Sequence, residues 1–427
     1  MKGKRIVITG AGLITPLGVG IEKNWEKILS GNSGIGHIRS FETSSLPMKT
    51  AGEVKDFFPK DFLKKPKLLK LMNRTSQFAV AAATLAIQDA CLGKNKDFSD
   101  TGLVMGTSDM QYQIGETIPV FSYSENSNYT TFGESVVKSF NPIWPLSILP
   151  NMSLCHIAIN HDLKGPSYSF SSHGIAGSQA IGEAFEMIED GTAKVVLAGG
   201  ADTLNLVRLC SYYAYDLLSK DEGGFLPFSL NRSGMVIGEG AGFLVLEELS
   251  HAKKRGIHIY AEILGYKSHI KNQCYYDPGD FIFDVSIDES VFCMDCAMKR
   301  AGVNSDEIDL VIADAKGLYN KDRIEALAIE KVFKKEGVFA TPFITNFKTL
   351  TGYLLNASGP VELIFSLLCI KDNVIPPMAR YMVNDPEFSL NLALGSLRKE
   401  KVESILLNTG GLYNDFFSMV IKEFQDG

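Results

Sequence analysis

Residues 164–202 read KGPSYSFSSHGIAGSQAIGEAFEMIEDGTAKVVLAGGAD and predict, in order, a strand, a tight turn, a helix and a second strand. Residues 168–170 form an apolar extended segment, and the turn over residues 171–177 consists mostly of small residues. An amphipathic helix is expected from about Ser178 to Glu189, and a buried strand over residues 194–199. A sharp strand-to-helix turn of this kind sets its central side chain against the N-terminus of the helix.

The residue at the centre of that turn is Gly174, which has no side chain. Unpaired N–H groups and the positive dipole end of a helix stabilise a thiolate or an oxyanion, so the geometry suits a nucleophile. Ser171 and Ser172 with His173 offer a Ser–His pair instead. Adjacent residues rarely face each other across a turn, and no third orienting group is evident. We therefore expect backbone and packing roles for these three residues.

Composition and charge limit the class of protein. The chain has 427 residues, which exceeds the size at which a single hydrophobic core keeps growing with chain length. At least two packed halves are therefore expected. The net charge of −7 argues against a nucleic-acid partner. The sequence enters a strand without an export signal and contains no apolar run of about 18 residues, so we expect a cytoplasmic location and no membrane span.

The seven cysteines are scattered and odd in number, which favours free thiols in a reducing compartment over a disulfide framework. Cys293 and Cys296 form a CxxC pair, but they fall on a predicted helix with no second pair nearby. We therefore expect core packing at this pair and no metal site.

Two further segments are candidates for contacts with a partner. The run Lys60–Lys70 alternates lysines with apolar residues, which predicts a solvated face, with docking of an acidic partner protein as the alternative. Residues 108–150 are aromatic and loop-rich, which favours a binding wall or an interface over a random insertion.

Strands and helices recur in the same order in the two halves of the chain, with a boundary near residue 250. In the second half, strands are expected over residues 260–266, 310–314, 404–408 and 417–424, and helices over residues 288–301, 322–332 and 353–371. Residues 340–345 precede a turn over residues 346–352. The recurrence predicts an α/β fold of two pseudo-symmetric halves, residues 1–250 and 251–427, with buried helices between the layers.

Five motifs together resemble the β-ketoacyl synthase family. They are VITGAGLITPLG (7–18), GPSYSFSSHGIAGSQAIGEA (165–184), AGGAD (198–202), PFSLNRSGMVIGEGAGFLVLEE (227–248) and NFKTLTGYLLNASGPVE (346–362). The motifs span most of the chain and are specific in combination. The resemblance implies the thiolase-like fold of that family, a layered α-β-α-β-α arrangement, with no cofactor.

Active members of that family condense acyl thioesters with a cysteine nucleophile and two histidines. Carried over motif by motif, the cysteine position falls at Gly174 and the histidine positions at Lys316 and Tyr353. Only the lysine of the KxxTG motif keeps its identity, as Lys348. The last histidine in the sequence is His269, which lies before both histidine positions. The resemblance therefore implies no catalytic residue in this chain.

The resemblance also gives the retained and replaced groups structural roles. Lys316 is expected to plug the empty histidine site and to pair with an acid such as Asp314 or Glu325, with a role as a base as the alternative. Lys348 is expected to hold the old active-site network together. The loop NTGGLYND (408–415) departs from the alternating Gly-Phe-Gly-Gly pattern of the family.

Substitution at all three positions resembles one branch of the family, the chain-length factors (ketosynthase β subunits) of type II polyketide synthases. Phrases typical of that branch are IAINHDLKGP (157–166), GFLPF (224–228), YYDPG (275–279), IADAKGLYNKDRIEALAI (312–329) and DNVIPP (372–377). Many such subunits carry a glutamine at the nucleophile position, from which Gly174 departs. The branch implies a subunit that is inactive alone and forms a heterodimer with an active ketosynthase.

In this branch, the subunit shapes the tunnel that holds the chain growing on acyl carrier protein, in polyketide or polyene biosynthesis. Candidate gate residues follow the strand over residues 103–106, with plain interface or core packing as the alternative; they are Met110, Tyr112, Ile114 and Phe121. The family's dimer interface implies that residues 165–178 and 108–150 lie near the partner. Two alternative functions stay open: a decarboxylase or Ser-dependent acyltransferase of the same fold, and a scaffold without a tunnel role.

Overall fold

The computed structural model describes residues 3–93, 99–108, 129–139, 142–220, 225–271, 287–334, 341–381 and 383–426. Within them, one mixed sheet of eleven strands runs through both halves of the chain, beside two small two-stranded sheets. The strands are β1 (Ile6–Thr15), β2 (Gly18–Val19), β3 (Ile35–His37), β4 (Thr50–Gly52), β5 (Gly102–Thr107), β6 (Ser167–Ser171), β7 (Val195–Asp202), β8 (Gly240–Glu248), β9 (Ala261–Ile270), β10 (Leu310–Ile312), β11 (Phe343–Thr345), β12 (Val374–Ile375), β13 (Arg398–Lys399), β14 (Ser404–Gly410) and β15 (Asp415–Lys422).

Helices connect these strands and cover the sheet. They are α1 (Ile21–Leu29), α2 (Arg74–Asp89), α3 (Tyr129–Ser139), α4 (Pro145–Ile148), α5 (Met152–His161), α6 (Ala176–Glu189), α7 (Leu206–Ala214), α8 (Leu249–Arg255), α9 (Ile287–Ala301), α10 (Tyr319–Phe333), α11 (Lys348–Thr351) and α12 (Ser358–Asp372). Short 3₁₀ turns occur at Pro59–Phe62, Pro66–Leu71, Ser305–Glu307 and Leu355–Ala357. No helix of the described residues is long and apolar enough to cross a membrane.

The two halves repeat one strand order. The first half is ordered β6-β5-β7-β8-β1 and the second β11-β10-β14-β15-β9, so corresponding strands occupy corresponding places. The first three strands of each series are parallel and the last two pair antiparallel. An antiparallel pairing of β1 with β9 joins the two series. This repeat confirms the expected α/β architecture of two pseudo-symmetric halves.

Alternation along the strands explains the layers. In the first half, Val104, Val196 and Leu244 face a core shared with α6 and α12, whereas Leu103 and Phe243 face a second core shared with α2. Both faces of these strands are therefore buried under helices. Nearly every residue of α12 is buried, as expected for a helix between two layers.

The helix predicted over residues 353–371 is wrong at its start. The chain makes a 3₁₀ turn at Leu355–Ala357, and α12 begins only at Ser358. Leu355 has a φ of 54°, a left-handed conformation that a regular α-helix does not accommodate. The irregular segment places Tyr353 and Asn356 beside the turn at Gly174.

The CxxC pair lies on α9, as predicted, and Cys293 is buried there. The described cysteines, which are all except Cys274, have free thiols. Among the described residues, no cluster of three or more His, Cys, Asp or Glu side chains is arranged to hold a metal ion.

Candidate functional site

The site is built around the turn between β6 and α6. Gly174 lies in this turn with a φ of +152°. A Cβ atom built on Gly174 would lie 2.3 Å from the hydroxyl oxygen of Tyr353 and 2.9 Å from the Cα of Gly411. Both distances are below any normal contact between such atoms, so Tyr353 occupies the volume that a side chain at position 174 needs. The ring of Tyr353 and the missing side chain at Gly174 are therefore sterically complementary.

Tyr353 is fully buried, and its hydroxyl has no hydrogen-bond partner among the described residues. Burial raises the pKa of this phenol well above its ordinary value, and nearby carboxylates, Asp314 first among them, add to the effect. Tyr353 is therefore a neutral phenol at any physiological pH. It fills space and cannot replace an imidazole as a base near neutral pH.

Asn356 holds the turn with its side-chain amide. The Oδ1 atom accepts hydrogen bonds from the backbone N–H groups of Gly174 (3.1 Å) and Ala176 (2.9 Å) and from the hydroxyl of Ser172 (3.1 Å). The Nδ2 atom donates to the carbonyl of Ser172 at 2.7 Å. Because backbone donors at a helix N-terminus are the groups that would bind an oxyanion, Asn356 occupies two donors that catalysis would need free.

A buried polar cluster also bonds to the side chain of Asn356. Its Nδ2 atom also donates to the hydroxyl of Ser108 (2.9 Å) and to Asp202 Oδ2 (3.2 Å). The Ser108 hydroxyl donates to Asp202, whose Oδ1 atom lies 2.6 Å from the guanidinium of Arg208. The charge of the buried carboxylate is thus compensated, as burial requires.

Lys316 is buried beside the same turn and pairs with Asp314. Its ammonium lies 5.1 Å from the centre of the Tyr353 ring. Glu325, the other acid expected as a partner, instead accepts from the backbone N–H groups of Asp314 (2.8 Å) and Ala315 (2.7 Å). Burial and the charge of Asp314 raise the pKa of Glu325 to about 7.

Lys348 completes the buried network. Its ammonium donates to both carboxylate oxygens of Glu362, at 2.7 and 2.8 Å, and lies 3.5 Å from Asp314 Oδ1. Burial acts to raise the pKa of Asp314, but the ammonium groups of Lys316 and Lys348 outweigh it and lower that pKa. Burial raises the pKa of Glu362 to about 7, although Lys348 opposes the rise. The two lysines and their acids therefore compensate one another.

The remaining candidates do not form a catalytic pair in this structure. The hydroxyl of Ser172 is bonded to Asn356, and the ring of His173 packs edge-on against Tyr413, with 5.2 Å between ring centres. Ser171 is exposed on β6. The candidate gate residues Met110, Tyr112, Ile114 and Phe121 lie outside the described residues.

The structure brings together Gly174, Lys316, Tyr353 and Lys348 from distant parts of the sequence. Asn356 was missed by the sequence analysis; its one signal is a polar residue in a run of small and apolar residues. The arrangement defines a protein of the thiolase-like class in which Tyr353 fills the space beside Gly174, in the turn between β6 and α6.

Comparison with known proteins identifies the family. Residues 3–252 match the sequence model of the β-ketoacyl synthase N-terminal domain, and residues 260–382 match that of the C-terminal domain. The chain belongs to the β-ketoacyl synthase family.

Curated relatives cover the whole chain. The 3-oxoacyl-[acyl-carrier-protein] synthase 2 of Rhizobium meliloti (strain 1021) is 31% identical over 99% of each chain. The enzyme of the same name from Coxiella burnetii (strain RSA 493 / Nine Mile phase I) is 30% identical over 100% of each chain. The similarity is therefore to full-length members of the family.

Solved structures show the same overall fold. The ishigamide ketosynthase/chain length factor superposes with a TM-score of 0.88 at 25% identity, covering 99% of this chain and 100% of that chain. A β-ketoacyl synthase from Burkholderia phymatum STM815 gives 0.85 at 25% identity, with the same coverage. The AntDE:AntF complex, a type II polyketide synthase acyl-carrier protein with its ketosynthase, gives 0.82 at 27% identity, again with that coverage.

Proposed function

We propose that this chain is a non-catalytic subunit that pairs with an active β-ketoacyl synthase and sets the length of acyl chains elongated on acyl carrier protein. The observation that carries the proposal is the contact between Tyr353 and Gly174. A Cβ at position 174 would lie 2.3 Å from the Tyr353 hydroxyl, so the chain has no room for the nucleophile that condensation requires.

Two further observations support a role in an assembly over a role as an enzyme. Asn356 occupies the backbone donors at Gly174 and Ala176, which an oxyanion would need. The likeness to a ketosynthase/chain length factor agrees with a subunit that acts beside an active one. In this proposal the chain shares its fold with the curated synthases, and the partner subunit performs the condensation that those synthases perform.

Strand β6 is the proposed pairing edge. It ends the large sheet, four of its five residues are exposed, and it carries neither a charge nor a proline that would block pairing with another chain. At the two ends of β6, residues 166 and 172 bond to the neighbouring strand β5. The N–H of Leu103 donates to the carbonyl of Pro166, and the N–H of Ser172 donates to the carbonyl of Thr107. Since alternate residues of a parallel strand face its neighbour, Ser169 directs its backbone groups away from the sheet.

Co-expression with a ketosynthase that keeps the cysteine and both histidines is expected to yield a one-to-one pair. The Ser169→Pro variant removes an outward N–H and is expected to weaken pairing by roughly tenfold or more, measured by sedimentation at graded concentrations. The control Ser169→Ala retains that N–H and is expected to pair normally. Equal pairing by both variants would remove β6 from the interface, and condensation by this chain alone would refute the proposed function.

The basic segment, defined here as residues 59–72, is the proposed docking site for acyl carrier protein. Its lysines are exposed: Lys60, Lys64, Lys65, Lys67 and Lys70. Its apolar side chains pack inward against the core shared with α2: Phe62, Leu63, Leu68 and Leu69. The segment thus presents a cationic outer face, while its apolar side chains fix it to the core. A cationic face complements the charge of an acidic carrier.

A further inference from the structure

The basic segment has little regular structure of its own. It contains only the 3₁₀ turns Pro59–Phe62 and Pro66–Leu71, separated by three residues. Short turns of this kind have weak internal hydrogen bonding, so the path of this backbone depends on bonds to other elements. Those bonds come from side chains of the helices α5 and α2.

Asn160, on α5, bonds to the segment at its centre. Its Oδ1 atom accepts from the backbone N–H of Lys64 at 3.0 Å, and its Nδ2 atom donates to the carbonyl of Phe62 at 3.0 Å. These are the two bonds that a neighbouring strand would make to residues two apart. Asn160 is only 3% exposed, so water does not compete for these backbone groups.

Neighbouring groups fix the position of this amide. The ring nitrogen Nε2 of His161 lies 3.2 Å from Asn160 Nδ2 and 2.9 Å from the hydroxyl of Thr84 on α2. At the far end of the segment, Nε2 of His156 lies 3.1 Å from the carbonyl of Leu71. The basic segment is therefore held at its middle and its end by side chains of α5.

We infer that Asn160 is a positioning residue for carrier recognition. By fixing the backbone between Phe62 and Lys64, it holds the lysines before and after this point as one rigid cationic face. A rigid face loses less conformational entropy when a partner binds, so it binds more tightly than a mobile one carrying the same charges. The inference rests on the carrier docking given under the proposed function.

The test measures the Kd of fluorescently labelled acyl carrier protein for the purified pair. Asn160→Ala is expected to raise Kd by roughly fivefold to tenfold at low ionic strength, which is about 1 to 1.4 kcal/mol. It is expected to raise KM for the carrier and to leave kcat at saturating carrier unchanged. High salt should abolish the difference between wild type and variant, because screening removes the attraction that the positioning serves.

The matched control is Asn24→Ala. Asn24 is also a buried asparagine that bonds to backbone carbonyls, those of Gly18 (3.0 Å) and Gly20 (2.7 Å), but it lies on α1. Its variant should leave Kd unchanged. A double variant, Lys64→Ala with Lys67→Ala, removes charges from the face itself, and adding Asn160→Ala to it should have little further effect on Kd.

The outcomes separate the two claims. If the double lysine variant leaves Kd unchanged, carrier docking at this segment is refuted, and the role of Asn160 falls with it. If the lysine variant weakens binding and Asn160→Ala does not, or if the two effects simply add, only the positioning role is refuted. Should Asn160→Ala fail to give a folded pair, Asn160→Ser retains a polar group that is too short to span both backbone atoms. It is expected to weaken binding in the same way, and an unchanged Kd would refute the role.

Discussion

Replacing Gly174 by alanine is expected to lower the free energy of unfolding by about 3 kcal/mol. The new Cβ would lie 2.3 Å from the Tyr353 hydroxyl and 2.9 Å from the Cα of Gly411. Overpacking of a tight core costs about 1–3 kcal/mol, and a backbone with positive φ adds further strain for any residue with a Cβ. Chemical denaturation of the purified pair would measure the loss.

Two controls separate the clash from the strain. Gly31 also has a positive φ, +69°, but a Cβ there meets nothing within 4 Å, so Gly31→Ala is expected to cost only about 1 kcal/mol. Tyr353→Phe removes the hydroxyl that the new Cβ would meet. Combined with Gly174→Ala, it should restore roughly half of the stability that Gly174→Ala loses. Equal costs at Gly31 and Gly174 would contradict the steric complementarity of Gly174 and Tyr353.

The second large effect is expected from Lys348→Met, which is predicted to destabilise the chain by about 3 kcal/mol at pH 8. Removing one partner of a buried ion pair leaves the other uncompensated. Here Lys348 holds both oxygens of Glu362 and lies near Asp314. The surface lysine Lys334, paired with Glu330, provides the control, and Lys334→Met should change stability by less than about 0.5 kcal/mol.

The cost of Lys348→Met is expected to shrink as the pH falls. Burial already raises the pKa of Glu362 to about 7 in the presence of Lys348, and the loss of the ammonium raises it further. At pH 5 to 6 the Glu362 carboxyl of the folded variant is protonated, so little buried charge is left unpaired. At pH 8 the folded variant must either bury an unpaired carboxylate or keep this carboxyl protonated at a pH where it would ionise in water, and both cost free energy. Unfolding at pH 5.5 and pH 8 measures the difference, and a cost independent of pH would contradict this role for Glu362.

Much of the fold could be predicted from the sequence because its signals are local. β-branched runs, small-residue turns and amphipathic stretches recur in each half, and they correspond to the strand order that the structure repeats. The sequence pattern alone places the start of α12 five residues early, because Leu355 carries no local signal for its left-handed conformation. Position 355 carries a good helix former, but Pro360 lies in the first turn of α12. In a helix that began at residue 353, Pro360 would be interior and could not donate to the carbonyl of Asn356.

Only part of the candidate site could be predicted, because its contacts join residues that are far apart in the sequence. The motifs draw attention to Gly174, Lys316 and Tyr353. They do not reveal that Gly174 and Tyr353 are sterically complementary, because that depends on a contact across 179 residues of sequence. Asn356 was missed entirely. Its bonds reach Ser108 and Asp202, far along the chain, and a single polar residue in a buried run carries no sign of such partners.

In the proposed function, this chain supplies no nucleophile and its partner performs the chemistry. Intact-protein mass spectrometry of the pair after incubation with acyl-loaded acyl carrier protein tests it directly. We expect an acyl adduct on the partner ketosynthase and none on this chain. An acyl adduct on this chain, at Ser171 or Ser172, would refute the proposed function and favour the Ser-dependent acyltransferase.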